Sequence, residues 1–185
     1  MINVNDFKTG MTITYEGNLY QVFEFQHVKP GKGAAIVKAK LKNLKTGSIV
    51  EQTFNAGIKV EQGHVEKIKM QYLYESSGSY TFMNMNTYEQ VELQASQIAN
   101  EVKFLKEGLE VLIFFHEGEM LGIELPEKID YKITATEPAI KGNTATNATK
   151  DATIETGLLV RVPLFIEQGE EIIVSTKDGK YVSRK

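Results

Sequence analysis

The chain has no cysteine. That absence excludes disulfides, thiolate metal sites and a catalytic cysteine together. Histidine is scarce: His27, His64 and His116 stand far apart, none with a histidine or acid at metal-ligand spacing, so no metal site is expected. No apolar run approaches the ~20 residues that a membrane-crossing helix needs, so no membrane contact is expected. The start, Met1-Ile2-Asn3-Val4-Asn5-Asp6, has neither a basic nor an apolar stretch. No export signal is expected, and a cytoplasmic location is the default. Acid, too, is missing from one region. From Gln26 to Val50 there are six lysines, Lys29, Lys32, Lys38, Lys40, Lys42 and Lys45, and no Asp or Glu.

That acid-free region centres on Lys29-Pro30-Gly31-Lys32-Gly33-Ala34. The segments on either side, Leu19 to Val28 and Ala35 to Lys42, are rich in β-branched and aromatic residues and read as strands. In the second, Ala35, Val37, Ala39 and Leu41 alternate with Ile36, Lys38, Lys40 and Lys42. A period of two sends the first set to a core and the lysines to solvent. Pro30 fixes its own φ, and Gly31 and Gly33 allow a positive φ, so the chain can reverse at this point. Lys32 then stands at a hairpin end with no bulky neighbour. A cationic hairpin suits a phosphate backbone. An ordinary solvated hairpin, its lysines guarding against edge aggregation, remains open. So does a nucleophilic lysine, although a glycine-flanked tip offers no apolar pocket to depress its pKa.

The 185 residues suffice for one average domain or several small ones, and charge is unevenly spread along them. Residues 1–64 carry a net charge of +3, residues 65–127 of −7 and residues 128–185 of +1. An acidic middle between neutral-to-basic ends argues against one uniform nucleic-acid surface and suits a protein that touches polyanion at its ends. One loose pattern recurs four times: an apolar residue, two others, glycine, two others, an apolar residue. It runs from Phe7 to Ile13 around Gly10, Phe54 to Val60 around Gly57, Leu105 to Val111 around Gly108, and Ile166 to Ile172 around Gly169. Each predicts a turn with a left-handed glycine leading into a strand, and its reuse points to several small all-β units.

Three units are expected, at residues 1–64, 65–127 and 128–185. The first, with about five short strands, reads as an SH3-like barrel. The second has strands at Glu66–Tyr74, Tyr80–Met83, Tyr88–Leu93, Leu109–Phe115 and Met120–Leu125. Ser96 is expected to cap a short helix carrying Ile98, Val102 and Leu105. That order is that of an OB-fold barrel. Tyr72, Tyr74, Tyr80, Phe82 and Tyr88 could stack on bases, but packing is favoured, because the unit's acidity repels phosphate. The third unit has strands at Lys128–Thr136, Leu158–Val162, Glu171–Thr176 and Lys180–Ser183. A long loop of small residues is expected from Glu137 to Asp151, and a second OB-like barrel results.

The Pro30-Gly31-Lys32-Gly33 tip and its lysine-rich strand resemble bacterial translation elongation factor P. The C-terminal run from Lys150 to Gly157, followed by Val162-Pro163-Leu164-Phe165-Ile166 and Gly169, looks like that family's signature. Asp178 to Arg184, including Tyr181, is similar to its last hairpin. The likeness covers the whole chain. It departs at Pro138-Ala139-Ile140-Lys141-Gly142-Asn143-Thr144, where the family usually has Pro-Gly-x-x-Gly-Asp-Thr. The resemblance implies a monomeric, non-enzymatic elongation factor, elongated like a tRNA, that binds the ribosome between its P and E sites. By compactness scaling, three barrels in a row span roughly 80 Å. Lys32, framed by Lys29, Pro30, Gly31 and Gly33, would reach the CCA end of the P-site peptidyl-tRNA. Peptide-bond formation at consecutive prolines would be stimulated. Lys38, Lys40 and Lys42 would meet tRNA or rRNA phosphates. Gly142, Asn143, Thr144, Tyr181 and Arg184 would contact ribosome, tRNA or E-site mRNA. No cofactor is implied, but a covalent modification of Lys32 is, and with it a modifying enzyme. The alternative is a generic single-stranded nucleic-acid-binding OB protein, or an enzyme with a Schiff-base lysine at Lys32.

Overall fold

The computed structural model describes residues 1–139 and 148–185. It is mostly β, in three antiparallel sheets. The first contains β1 (Ile2–Asn3), β2 (Thr12–Tyr15), β3 (Asn18–Val28), β4 (Ile36–Asn43), β5 (Ile49–Asn55) and β6 (Lys59–Gln62), in the order β1-β6-β2-β3-β4-β5. Val4, Ile13, Val22, Val37, Leu41 and Phe54 fill its interior. The alternation expected in β4 is present: Val37, Ala39 and Leu41 are buried, and Lys38 and Lys40 are exposed.

The second sheet contains β7 (Glu66–Ser76), β8 (Ser79–Asn84), β9 (Gln90–Gln94), β10 (Glu110–His116) and β11 (Glu119–Glu124). The third contains β12 (Lys128–Thr136), β13 (Thr149–Ile154), β14 (Leu159–Pro163), β15 (Glu171–Ser175) and β16 (Tyr181–Arg184). Their orders are β11-β10-β7-β8-β9 and β14-β13-β12-β15-β16. In both, the first strand lies between the second and the fourth, which is the OB arrangement. In both, the first strand slips register against the second, at Tyr72/Tyr74 and at Ile133/Ala135. Such bulges bend a strand and let a sheet curl.

All four glycine patterns form the same turn. Gly10, Gly57, Gly108 and Gly169 have φ of +91°, +89°, +83° and +90°. In each, the amide after the glycine donates to the carbonyl two residues before it: Met11 to Lys8, Ile58 to Asn55, Leu109 to Lys106 and Glu170 to Glu167. A positive φ at the third of four residues is the type II turn, which glycine adopts without steric cost. The apolar residues on either side, Phe7 and Ile13, Phe54 and Val60, Leu105 and Val111, Ile166 and Ile172, are all buried. The turn thus drops one side chain into the core on entry and another on exit.

Contacts group the chain into two compact units. The first comprises Met1–Ile68, Leu93–Ile98 and Ile113–Ile123; within it, Leu44 packs with Phe114 and Leu121. The second comprises Lys69–Glu92, Ala99–Leu112 and Glu124–Lys185. Within it, Phe104 is buried among Tyr131, Ile133, Val160 and Val174 of the third sheet. The Tyr131 hydroxyl donates to the Phe104 carbonyl at 2.5 Å. Lys106 lies over the Tyr131 ring, 5.3 Å from its centroid, and donates to the Asp130 carbonyl.

Four expectations are corrected. The helix capped by Ser96 is absent; two 3₁₀ turns, Ala95–Ile98 and Val102–Phe104, take its place, with Ser96 inside the first. Ile98 and Leu105 are buried as their spacing predicted, but a segment this short gains too few hydrogen bonds to hold an α-helix. Tyr88 lies outside β9, at φ +61° and 70% exposed. Tyr72 and Phe82 are core residues, whereas Tyr74 is also exposed. The loop after β12 ends before Asp151, because Thr149–Ile154 is a strand paired to both β12 and β14. Its Lys150 is buried on the inner face, where a charge in the sequence hid the apolar alternation. Finally, of the two tip glycines only Gly33 uses a positive φ, of +108°.

Candidate functional site: a lysine-tipped hairpin

β3 and β4 form a long antiparallel hairpin whose last paired residues are Val28 and Ile36. The seven-residue tip between them runs from Lys29 to Ala35. Register slips between Val22 and Glu24, bending β3 on its way to the tip. Gly33 reverses the chain, with the Pro30 ring beside it: a Cβ on Gly33 would stand 3.9 Å from Pro30 Cγ. A Cβ on Gly31 would meet nothing within 4 Å. Lys29, Pro30, Gly31, Lys32 and Gly33 are all exposed. Among the described residues, Lys32 makes no ion pair and no side-chain hydrogen bond. At the tip's base, the Phe25 and His27 rings meet edge-on at 5.6 Å.

The three lysines of β4 are not equivalent. Cross-strand register puts Glu24 on one side of Lys40 and Glu51 on the other, and Lys40 Nζ lies 3.3 Å from the Glu24 carboxylate. Lys38 faces Gln26 and Thr53 instead, is exposed, and makes no ion pair among the described residues. Lys42 is half-buried and engaged within the protein. The acid-free run in the sequence therefore overstates the positive charge of the folded surface, and Lys38 is its freest strand lysine. The signal for this was the pairing of strands, which brings in acids from outside the run.

On the third sheet, Tyr181 is half-buried against the core. Arg184 pairs with the Glu170 carboxylate and lies over the Phe165 ring, 5.2 Å from its centroid. The Arg184 hydrogen bond, with a second from the Glu167 amide, holds the Glu170 carboxyl below its ordinary pKa. Lys185 does the same to Asp130, donating at 2.9 Å. Burial pushes the Tyr131 phenol well above the usual tyrosine value. Gly142, Asn143 and Thr144 lie outside the described residues. Among the described residues, no cluster of His, Asp and Glu is arranged to hold a metal, and no helix is long and apolar enough to cross a membrane.

The hairpin site can present a cation on the exposed loop that closes it. Among the described residues, no acid or histidine forms an ion pair with Lys32.

Three family models match the chain in sequence order. The elongation factor P KOW-like domain covers residues 3–60, the elongation factor P OB domain covers 65–123, and the elongation factor P C-terminal domain covers 129–184. Among solved structures, the chain resembles a eukaryotic translation initiation factor 5A from Methanococcus jannaschii, at 24% identity and TM-score 0.47, over 67% of this chain and 93% of that one. It also resembles a translation initiation factor 5A family protein from Naegleria fowleri, at 15% identity and TM-score 0.42, over 67% of this chain and 96% of that one. With all three domain models matched in order, the chain belongs to the elongation factor P family of ribosome-associated translation factors.

Proposed function

We propose that this factor binds the ribosome between the P and E sites and extends Lys32 to the CCA end of the P-site peptidyl-tRNA, speeding peptide-bond formation at consecutive prolines. The observation that carries this reading is the tip itself: an exposed lysine between two glycines, in the loop that closes the β3–β4 hairpin, with no partner among the described residues. Proline's fixed φ restricts how the nascent chain can sit. A tRNA end held in a near-attack arrangement lowers the entropic part of the barrier, and that work requires only position and charge. Lys29 and Lys38 add cations beside the same hairpin, suited to tRNA or rRNA phosphates. A covalent extension of Lys32 by a modifying enzyme would lengthen its reach, and nothing at the tip blocks access to it. Contact of the third sheet's loop with E-site mRNA completes the proposal.

Lys32→Ala tests it. An exposed substitution of this kind changes stability by no more than about 0.5 kcal/mol, and ribosome affinity should largely survive. The rate on a Pro-Pro-Pro reporter should collapse while a proline-free peptide is made normally, the signature of a group acting near the transition state. Full Pro-Pro activity in the Lys32→Ala protein refutes the role of the tip. Intact mass of protein from its own source tests the modification separately: the excess mass should map to the peptide containing Lys32.

A further inference from the structure

The two sides of the tip are supported unequally. β2 and the turn before it reach along β3 only to Val22. Among the described residues, the rest of β3, toward Val28, therefore has a strand on one side alone, β4. β4 keeps β5 beside it to its end, where Ile36 pairs with Asn55. One step further, past these last paired residues, the Ala56 amide donates to the Ala35 carbonyl at 2.9 Å. Ala35 belongs to the tip. Among the described residues, this is the one backbone hydrogen bond that reaches the tip from outside its own hairpin. Ala56 is the second residue of the glycine turn Asn55–Ile58, and that turn is fastened at both ends. Phe54, just before it, is 4% exposed and meets the Phe7 and Tyr15 rings edge-on at 5.8 and 5.3 Å. Ile58, its last residue, donates to the Asn55 carbonyl at 3.2 Å, and its own carbonyl accepts from the amide of the fully buried Val4 at 2.9 Å.

We propose that Ala56 is a positioning residue for Lys32: through its amide, the turn between β5 and β6 ties the returning side of the tip to the first core and so sets where Lys32 stands. This role rests on Lys32 being the acting group. A tip with glycines on both sides of its lysine has many backbone states open to it. The bond at Ala35 leaves only Gly33 and Ala34 free between the anchor and Lys32. Reaction rate is far more sensitive to such placement than affinity is, since a shift of about 1 Å can cost about a hundredfold. Ala56→Pro isolates the bond. The second position of a type II turn favours proline, whose fixed φ fits it. The residue before a proline must be extended, and Asn55 already is, as the end of β5. The turn therefore survives the substitution, and what disappears is the N–H that holds Ala35. The Ala56 side chain itself is exposed, so nothing else is lost.

The test uses the full chain, with parent, Ala56→Pro and Ala56→Ser proteins matched in the mass of their Lys32 peptide. Ala56→Pro should melt within about 4 °C of the parent, because proline at a fitting site and one lost hydrogen bond offset each other. Its ribosome affinity should be unchanged. Its rate on the Pro-Pro-Pro reporter should fall about tenfold or more. The amide order parameters of Gly33 and Ala35 should drop from about 0.8 to below about 0.6. Ala56→Ser keeps the donor and should match the parent throughout. A merely structural residue would move melting point, affinity and rate together, whereas a positioning residue moves rate and order alone. One measurement needs no variant and decides the matter if Ala56→Pro does not fold: in the parent, the Ala56 amide should exchange with solvent at least about tenfold more slowly than that of Lys32. Equal exchange of the two amides, or unchanged order parameters in the Ala56→Pro protein, overturns the proposal. A full Pro-Pro rate in Ala56→Pro beside a collapsed rate in Lys32→Ala also overturns it, and leaves the role of the tip standing. A full rate in Lys32→Ala removes the role of the tip instead, and with it the work that Ala56 is proposed to serve.

Discussion

Phe104→Ala removes a ring that the third core borrows from a short 3₁₀ turn outside its own sheet. The ring is 3% exposed and packs with Tyr131, Ile133, Val160 and Val174, so its truncation leaves a hole in a closed core. Phe-to-Ala substitutions in such places cost about 3–5 kcal/mol. The lower end is expected, near ~3 kcal/mol, because a turn three residues long can settle partly into the space. For a chain of this length that corresponds to a melting point lower by about 6–12 °C. Tyr131→Phe acts on the same junction from the other side. It strands the Phe104 carbonyl and costs about 1–3 kcal/mol. Because the two groups touch, the double variant should lose less than the sum of the single losses, by at least about 0.5 kcal/mol. Urea unfolding measures all three. The chain has no tryptophan and eight tyrosines, so tyrosine emission and far-ultraviolet dichroism are the probes. A loss under about 1 kcal/mol for Phe104→Ala, or strict additivity in the double variant, would show that the turn only rests on the third core.

Glu24→Gln combined with Glu51→Gln should release Lys40 from its flanking acids. Ribosome affinity should rise at low salt, with a steeper salt slope in pelleting assays; an unchanged slope would exclude β4 from the contact. Lys38→Gln should cost more affinity in that assay than Lys42→Gln, whose side chain is already engaged. Asp130 and Glu170 have carboxyl pKa values lowered in the folded state by Lys185 and Arg184. Their stabilisation is therefore complete above the unfolded values near ~4 and disappears as pH falls through the lower folded values. The melting point should be flat from about pH 7 to 5 and fall below that, less steeply in an Asp130→Asn protein. Gly169→Ala places a methyl where no atom lies within 4 Å, so its cost is backbone strain alone, about 1–2 kcal/mol. Gly57→Ala, equally open at φ +89°, should cost the same by urea unfolding.

Elements with local causes were legible in the sequence. Strand alternation placed Val37, Ala39 and Leu41 inside, and the glycine spacing predicted four turns and the burial of their flanking residues. Elements settled by distant partners were less so. β13 was hidden because Lys150 occupies an inward position, which alternation reads as a break in the pattern. The segment after Ser96 had helical spacing, but its apolar residues are pinned separately, and two 3₁₀ turns satisfy them with less backbone ordered. Charge was the clearest case. A run without acids along the chain becomes a surface with acids once β3 and β5 lie beside β4. The Arg184–Phe165 contact spans nineteen residues, and no local pattern announces it.

The middle and third sheets share a strand order, a register slip in the first strand and a glycine turn before the fourth. A chain that writes one pattern twice also writes its own wrong answers: β7 has a counterpart of β8 in β13, and β12 has a counterpart of β13 in β8. The inner faces disagree enough to penalise the exchange, since β8 buries Thr81 and Phe82 in succession where β13 buries Lys150, Ala152 and Ile154 alternately. Order of synthesis removes the choice altogether, because β7 and β8 emerge and can pair before β13 exists. Dilution from denaturant presents every strand at once, so refolding in the test tube faces a competition between sister strands that the growing chain avoids.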